Sequence, residues 1–261
     1  IAFAVGILAL LGKRVPSGLK IFLLTLAVVD DLCAILIIAL FYTDHLSMVS
    51  FLIAGFLLGV MWLLNYARVA KKSVYVFLTF LLWISVLNSG VHATIAGVLA
   101  AFCIPTVDRN GNRMLDEFYH DLEGVTNFFI LPIFAFVNAG VALTGINPNQ
   151  LLNSVSYGIF FGLFFGKQLG IFIFTFVFIK ILRLGSLPSG ATWTQLYGVC
   201  ILGGIGFTMS LFVNGLAYGN SDKFFFADKL SILIASLASG LFGYLFLYFY
   251  SKAKEKKLSK N

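Results

Sequence analysis

Apolar residues form long runs along the chain, and short polar stretches separate these runs. A helix that crosses a bilayer needs about 20 mainly apolar residues. Runs of this length predict membrane spans at roughly 19–42, 46–66, 125–144, 156–181, 195–218 and 227–250. Lipid offers no partner to a free backbone N–H or C=O group, so we expect every span to be a helix.

Three shorter apolar runs complete the pattern. Runs at about 73–87 and 90–104 are separated by Asn88-Ser89-Gly90, which predicts a tight hairpin of two short spans. Residues 1–12 are too few to cross a bilayer alone and predict half a span. The expected fold is an all-α polytopic membrane protein with eight spans and one half span. It forms a single transmembrane domain over 1–261, in which 251–261 is a basic cytoplasmic tail.

The composition excludes a soluble protein. Hydrophobic residues make up 60% of the 261 residues and charged residues only 11%, whereas soluble domains are about one quarter charged. The three cysteines stand singly inside apolar runs and form no CxxC motif, so neither a disulfide framework nor a metal site is predicted.

Most of the basic residues occupy alternate connections between the predicted spans. Cytoplasmic connections are rich in lysine and arginine, so this alternation places the C-terminus in the cytoplasm. The net charge of +7 is then explained by topology, and membrane lipid rather than nucleic acid is the expected partner. The residues on this side are Lys13, Arg14, Lys20, Arg68, Lys71, Lys72, Arg109, Arg113, Lys180, Arg183, Lys252, Lys254, Lys256, Lys257 and Lys260.

Three charged residues lie deep inside predicted spans, away from the ends of the runs. Asp30 and Asp31 fall near the middle of the 19–42 run, and Lys167 lies inside the 156–181 run. The other acids, including Asp228, are assigned to connections or to the tail. Each charge at this depth costs about 2.5–3.5 kcal/mol on insertion scales. An ion pair kept for helix packing would explain one aspartate beside Lys167 but not the second, which favours an ion pathway.

Adjacent carboxylates suit the binding of a small hard cation, because such ions prefer oxygen ligands. A proton and Na+ would compete for the same oxygens, and a site that changes sides only when occupied would exchange them. Lys167 can pair with an aspartate when the cation is absent. The prediction is secondary transport without a cofactor and without enzymatic activity. A cation channel and a non-transporting fragment are the alternatives.

The 195–218 run contains three glycines within four positions. Gly203, Gly204 and Gly206, followed by Thr208, weaken a helix enough for a break. Close helix packing through small residues explains the same pattern, and the sequence does not decide between the two.

Five ordered motifs resemble the NhaA family of sodium/proton antiporters. They are LAVVDDL at 26–32, SGVHATIAG at 89–97, FAFVNAG at 134–140, GKQLG at 166–170 and GIGFTMS at 204–210. The resemblance implies an inverted-repeat fold with a discontinuous 195–218 helix. It also implies that Asp31 is the principal cation ligand, that Asp30 shares in proton carriage, and that Lys167 pairs with Asp30.

The resemblance further implies electrogenic, pH-regulated exchange of Na+ or Li+ for H+ across the bacterial inner membrane, and homodimers of the full-length protein. The family has twelve spans and a Thr-Asp pair just before the residues that match 1–4. We therefore expect this chain to be a fragment that holds half of the fourth span through the twelfth. The fragment alone is not expected to transport ions.

Four titratable residues match positions that the family links to pH response. His92 lies beside Gly90, and Glu117, His120 and Glu123 precede the 125–144 run. A hinge histidine explains His92 equally well. Acids at a helix N-terminus are also favoured by the helix dipole, so capping is an alternative to sensing for the second group.

Overall fold

A computed structural model describes residues 2–41, 46–140, 153–218 and 225–258 of the chain. Every element of regular structure within these ranges is a helix. The connections expected at 43–46, 144–156 and 221–229 lie partly outside the described residues, and so do Asp44, Asp222 and Lys223 within them. The all-helical class is confirmed.

The chain divides into two compact units. The first unit contains residues 1–31 and 138–261, and the second contains residues 32–137. Helix α2 (Ser17–Phe41) contributes residues to both units.

The first unit is built around a long C-terminal helix. It comprises α1 (Ala2–Leu10), the beginning of α2, α8 (Ser154–Phe161), α9 (Lys167–Phe176), α10 (Trp193–Leu202), α11 (Phe207–Tyr218) and α12 (Phe225–Leu258). Helices α1, α8, α10 and α11 all pack against α12. The core between α1, α2, α10 and α12 contains Leu8, Leu23, Leu196 and Leu247, which are fully buried.

The second unit places α4 at its centre. It comprises the remainder of α2, α3 (Met48–Tyr66), α4 (Lys72–Ser89), α5 (Thr94–Phe102), α6 (Met114–Val125) and most of α7 (Leu131–Ala139). Helix α4 packs against α3 and α5 through Met61, Tyr75 and Leu82. At the beginning of α4, Lys72 Nζ lies 3.0 Å from Glu117 and 2.7 Å from Asp121 of α6.

Six helices are long and apolar enough to cross a membrane among the described residues. They cover Ser17–Ile38, Met48–Tyr66, Lys72–Ser89, Met114–Ala139, Ser154–Ile181 and Asp228–Lys256. The pair Trp193–Leu202 and Phe207–Ala217, bent by 46°, makes a seventh if it forms one span. The polytopic character is therefore confirmed, while the number of eight and a half spans stays a prediction.

Three boundaries differ from the predicted ones. The hairpin turns at Gly90, which has a left-handed φ of 87°, but its second arm α5 has only nine residues. At 1.5 Å per residue it is far too short to cross a bilayer alone. The helix predicted from about 125 begins at Met114, because Asp116 and Glu117 lie in its first turn, where negative charge stabilises a helix. The assignment of Asp228 to a connection is wrong, since it lies in the first turn of α12 and is fully buried.

Candidate ion-binding site

Helix α2 carries Asp30 and Asp31, and α9 begins at Lys167. Lys167 Nζ donates a hydrogen bond to Asp30 Oδ2, and the two side chains form an ion pair. This is the contact that the family resemblance implies. Both side chains are partly buried, with 28% of Lys167 and 39% of Asp30 accessible. Asp31 forms no ion pair within the described residues.

A π-helical turn immediately precedes Lys167. Over Gly162–Gly166 a backbone N–H donates to the carbonyl five residues earlier, whereas in an α-helix it donates to the carbonyl four residues earlier. The Lys167 N–H accordingly donates to Gly162 O. Such turns are frequent at functional sites, and the described helices contain two others, at Thr126–Ile130 and Val177–Ile181. The buried side chain of Gln168 donates from Nε2 to Phe164 O at 2.6 Å. This bond ties the residue after Lys167 to the interior of the π turn and thereby helps to fix the direction of Lys167.

The glycine-rich segment is a true helix break. Helix α10 ends at Leu202 and α11 begins at Phe207. The break is supported from α12, because Ser236 Oγ accepts a hydrogen bond from the Phe207 N–H at 3.1 Å. Phe207 has a φ of 28°, an unusual conformation for a residue with a side chain. Thr208 follows in the first turn of α11.

The same glycines also permit close packing. A Cβ atom on Gly204 would lie 2.5 Å from Ser239 Oγ and 2.7 Å from Leu163 O. One on Gly203 would lie 2.7 Å from Ile171 Cδ1, and one on Gly206 would collide with Ser210. The glycine segment therefore combines a break between two helices with close packing against its neighbours. Because Leu163 belongs to the π turn, the helix break lies against the turn that positions Lys167.

The predicted pH-response residues do not form one cluster. His92 lies in the turn after α4, where its Nδ1 is 3.0 Å from Thr94 Oγ1. Glu117 contacts Lys72 at the other end of α4. Helix α4 has 18 residues, which separates these two ends by about 27 Å.

On α6, His120 and Glu123 face each other across one helical turn. His120 Nδ1 lies 3.8 Å from Glu123 Oε2, and Tyr119 OH donates to Glu123 Oε1 at 3.1 Å. Both partners of the first pair are largely accessible. This geometry is typical of solvated helix-surface contacts, and the sensing role stays a prediction.

Sequence reasoning missed the π turn, Gln168 and the serines of α12. Ser236 and Ser239 are three positions apart within an apolar helix, so they share one face. This pair of serines on one face of an apolar helix could have predicted that α12 supports the helix break. The π turn left no comparable signal beyond the glycines at its two ends.

These features define a class of protein: a polytopic helical membrane protein with a carboxylate–lysine pair beside a broken helix. The family model described as Na+/H+ antiporter 1 matches residues 1–247. The chain belongs to this family, which confirms the resemblance found in the motifs.

Curated relatives agree with this assignment. The chain is 62% identical over 261 residues to "Na(+)/H(+) antiporter NhaA 2" of Campylobacter fetus subsp. fetus, covering 100% of this chain and 66% of the relative. It is 55% identical over 256 residues to "Na(+)/H(+) antiporter NhaA" of Campylobacter curvus, covering 98% of this chain and 64% of the relative. It is 53% identical over 250 residues to "Na(+)/H(+) antiporter NhaA 1" of Campylobacter jejuni, covering 96% and 64%. The chain thus spans slightly less than two thirds of the length of these relatives.

Proposed function

We propose that the full-length protein is a secondary transporter, not an enzyme, that exchanges Na+ or Li+ for H+ across the bacterial inner membrane. The observation that carries this proposal is the pairing of Lys167 with Asp30 while Asp31 has no ion-pair partner among the described residues. Family membership and the printed names of the relatives support the same activity.

The pairing suggests how the two aspartates divide their work. Lys167 offsets the charge of Asp30, so Asp31 is the carboxylate available to a cation or a proton. An arriving cation would add a positive charge beside Lys167, which weakens the hold of the lysine on Asp30. Protons and Na+ would then compete for the carboxylate oxygens, and competition is sufficient for exchange if only the occupied site changes sides.

The broken helix contributes fixed partial charges in this proposal. The end of α10 carries negative and the start of α11 positive partial charge, and discontinuous helices in transporters direct such ends at the ion site. The role we assign to Gly203, Gly204, Gly206 and Thr208 is to hold this break open while it packs on the π turn.

The proposal includes the finer features expected from the family. These are the inverted-repeat fold with eight spans and a half span in this chain, a cytoplasmic C-terminus and contact with membrane lipid. We also include pH regulation involving His92, Glu117, His120 and Glu123, and homodimers of the full-length protein.

Proteoliposomes that contain the full-length protein test the proposed exchange. With an acidic interior, external Na+ should dissipate the pH gradient. Asp31→Asn should abolish this response, whereas Glu255→Gln, in an exposed carboxylate paired with Arg14, should retain it. Sodium flux that never moves protons would indicate a channel and would refute exchange, as would an unchanged rate in Asp31→Asn.

A further inference from the structure

A second acid, far along the chain from Asp30 and Asp31, is buried inside the first unit. Asp228 has 0% of its surface accessible, although it stands only three residues after the start of α12. Acidic residues are almost never fully buried unless they are paired, so the environment of this carboxyl group requires an explanation.

The beginning of α8 covers Asp228. Ser156, which is also buried, donates from Oγ to Asp228 Oδ1 at 3.1 Å. The backbone N–H of Ser156 in turn donates to the side chain of Asn153, which caps α8. The second oxygen, Asp228 Oδ2, has no hydrogen-bond partner among the described residues.

No positive charge within the described residues compensates an ionised Asp228. None of the ion pairs there includes it. On α8 the neighbouring titratable group is Tyr157, whose phenol cannot carry a positive charge. On α12 Lys229 follows directly, but successive helical side chains point about 100° apart, and Lys229 has contacts of its own. Among the described residues an ionised carboxylate would have a single hydrogen bond, from Ser156, whereas the neutral acid would carry no charge to compensate.

We propose that Asp228 is a second proton-binding site, in which the protonated carboxyl group joins the beginning of α12 to the beginning of α8. The site shares no residue with the Asp30–Lys167 pair and does not depend on the proposed exchange. Helix α8 continues through the π turn into Lys167. Loss of this proton would therefore release one end of the helix that carries Lys167.

Infrared difference spectroscopy of the full-length protein in lipid nanodiscs tests this proposal. At neutral pH, a carbonyl-stretch band of a protonated carboxylic acid should be present and should disappear in Asp228→Asn. It should remain in Asp116→Asn, which changes an exposed aspartate, and should shift in Ser156→Ala because the hydrogen bond from the serine is lost. Addition of Na+ should leave the band unchanged.

Three results would overturn the proposal. A spectrum of Asp228→Asn identical to the wild type would show that Asp228 is ionised. If Na+ removed the same band that Asp228→Asn removes, Asp228 would take part in cation binding instead. If Asp228→Asn does not fold, Ser156→Ala decides, and an unshifted band there would contradict the site.

Hydrogen exchange adds a readout that a purely structural role would not change. As the pH rises, ionisation of Asp228 should accelerate exchange at the beginning of α8 in the wild type relative to Asp228→Asn at the same pH. Equal exchange in both proteins over the whole range would refute a titrating group at this position.

Discussion

The contact between the helix break and the π turn predicts that Gly204→Ala is damaging. The added Cβ would lie 2.5 Å from Ser239 Oγ, 2.7 Å from Leu163 O and 3.2 Å from Ile201 O. A hydroxyl group can rotate away, but the carbonyl oxygens belong to the backbone and move only with their helices. Overpacking of this kind typically costs about 1–3 kcal/mol, a change of about 5- to 150-fold in the folding equilibrium.

The matched control is Gly215→Ala on α11. A Cβ there would meet no atom within 4 Å, so alanine should gain up to about 1 kcal/mol from its higher helix propensity. The double variant Gly204→Ala with Ser239→Ala removes Ser239 Oγ, the closest contact, and leaves the one with Leu163 O. It should recover only part of the lost stability.

Thermal unfolding of the full-length protein in detergent measures these differences. The unfolding midpoint should be highest for Gly215→Ala, then decrease through the wild type and the double variant, and be lowest for Gly204→Ala. A Gly204→Ala protein as stable as the Gly215→Ala protein would refute the claim that the break and the π turn are in close contact.

Three further predictions concern single side chains. Gln168→Leu removes the donor to Phe164 O and should lower the free energy of unfolding by about 1 kcal/mol. It should also slow transport, because Lys167 is held less firmly. An unchanged transport rate would contradict the role of Gln168 in positioning Lys167. Asn214→Leu should raise the unfolding midpoint, because both polar atoms of the Asn214 amide are buried without hydrogen-bond partners among the described residues. A lower midpoint would show that this amide forms hydrogen bonds in the membrane. Burial alone would raise the pKa of Asp108, but hydrogen bonds from Asn112 and Asn110 outweigh it and lower that pKa. The turn over 108–112 should thus be stable at neutral pH and loosen as the pH falls through this lowered pKa. Proteolytic cleavage in the turn should therefore become faster at low pH in the wild type, whereas its rate in Asp108→Ala should lack this pH dependence.

Much of the fold follows from hydrophobic run length, because a bilayer demands apolar helices of one approximate length. The predicted runs at 46–66 and 156–181 correspond closely to helical stretches in the structure. Lys167 and Asp30 are 137 positions apart. Their contact could be predicted only from the resemblance of the motifs to the family. No local pattern could have brought them together.

The features that the sequence did not predict depend on hydrogen-bond register or on distant packing. Residues in the Gly162–Gly166 turn have nearly α-helical dihedral angles, for example −60° and −47° at Gly166. Only the shifted backbone hydrogen bonds distinguish this turn from an α-helix. Asp228 lies close to the polar residues 221–223 and resembles a loop residue in the sequence, but its buried carboxyl group accepts a hydrogen bond from Ser156, 72 positions earlier.

In the proposed exchange, protons and sodium ions compete for the carboxyl groups of Asp30 and Asp31. Calorimetric titration of the full-length protein with Na+, repeated in buffers of different ionisation enthalpy, counts the protons released per bound ion. Competition predicts proton release that Asp31→Asn removes and Glu255→Gln does not. Sodium binding with no release of protons at any pH would contradict it.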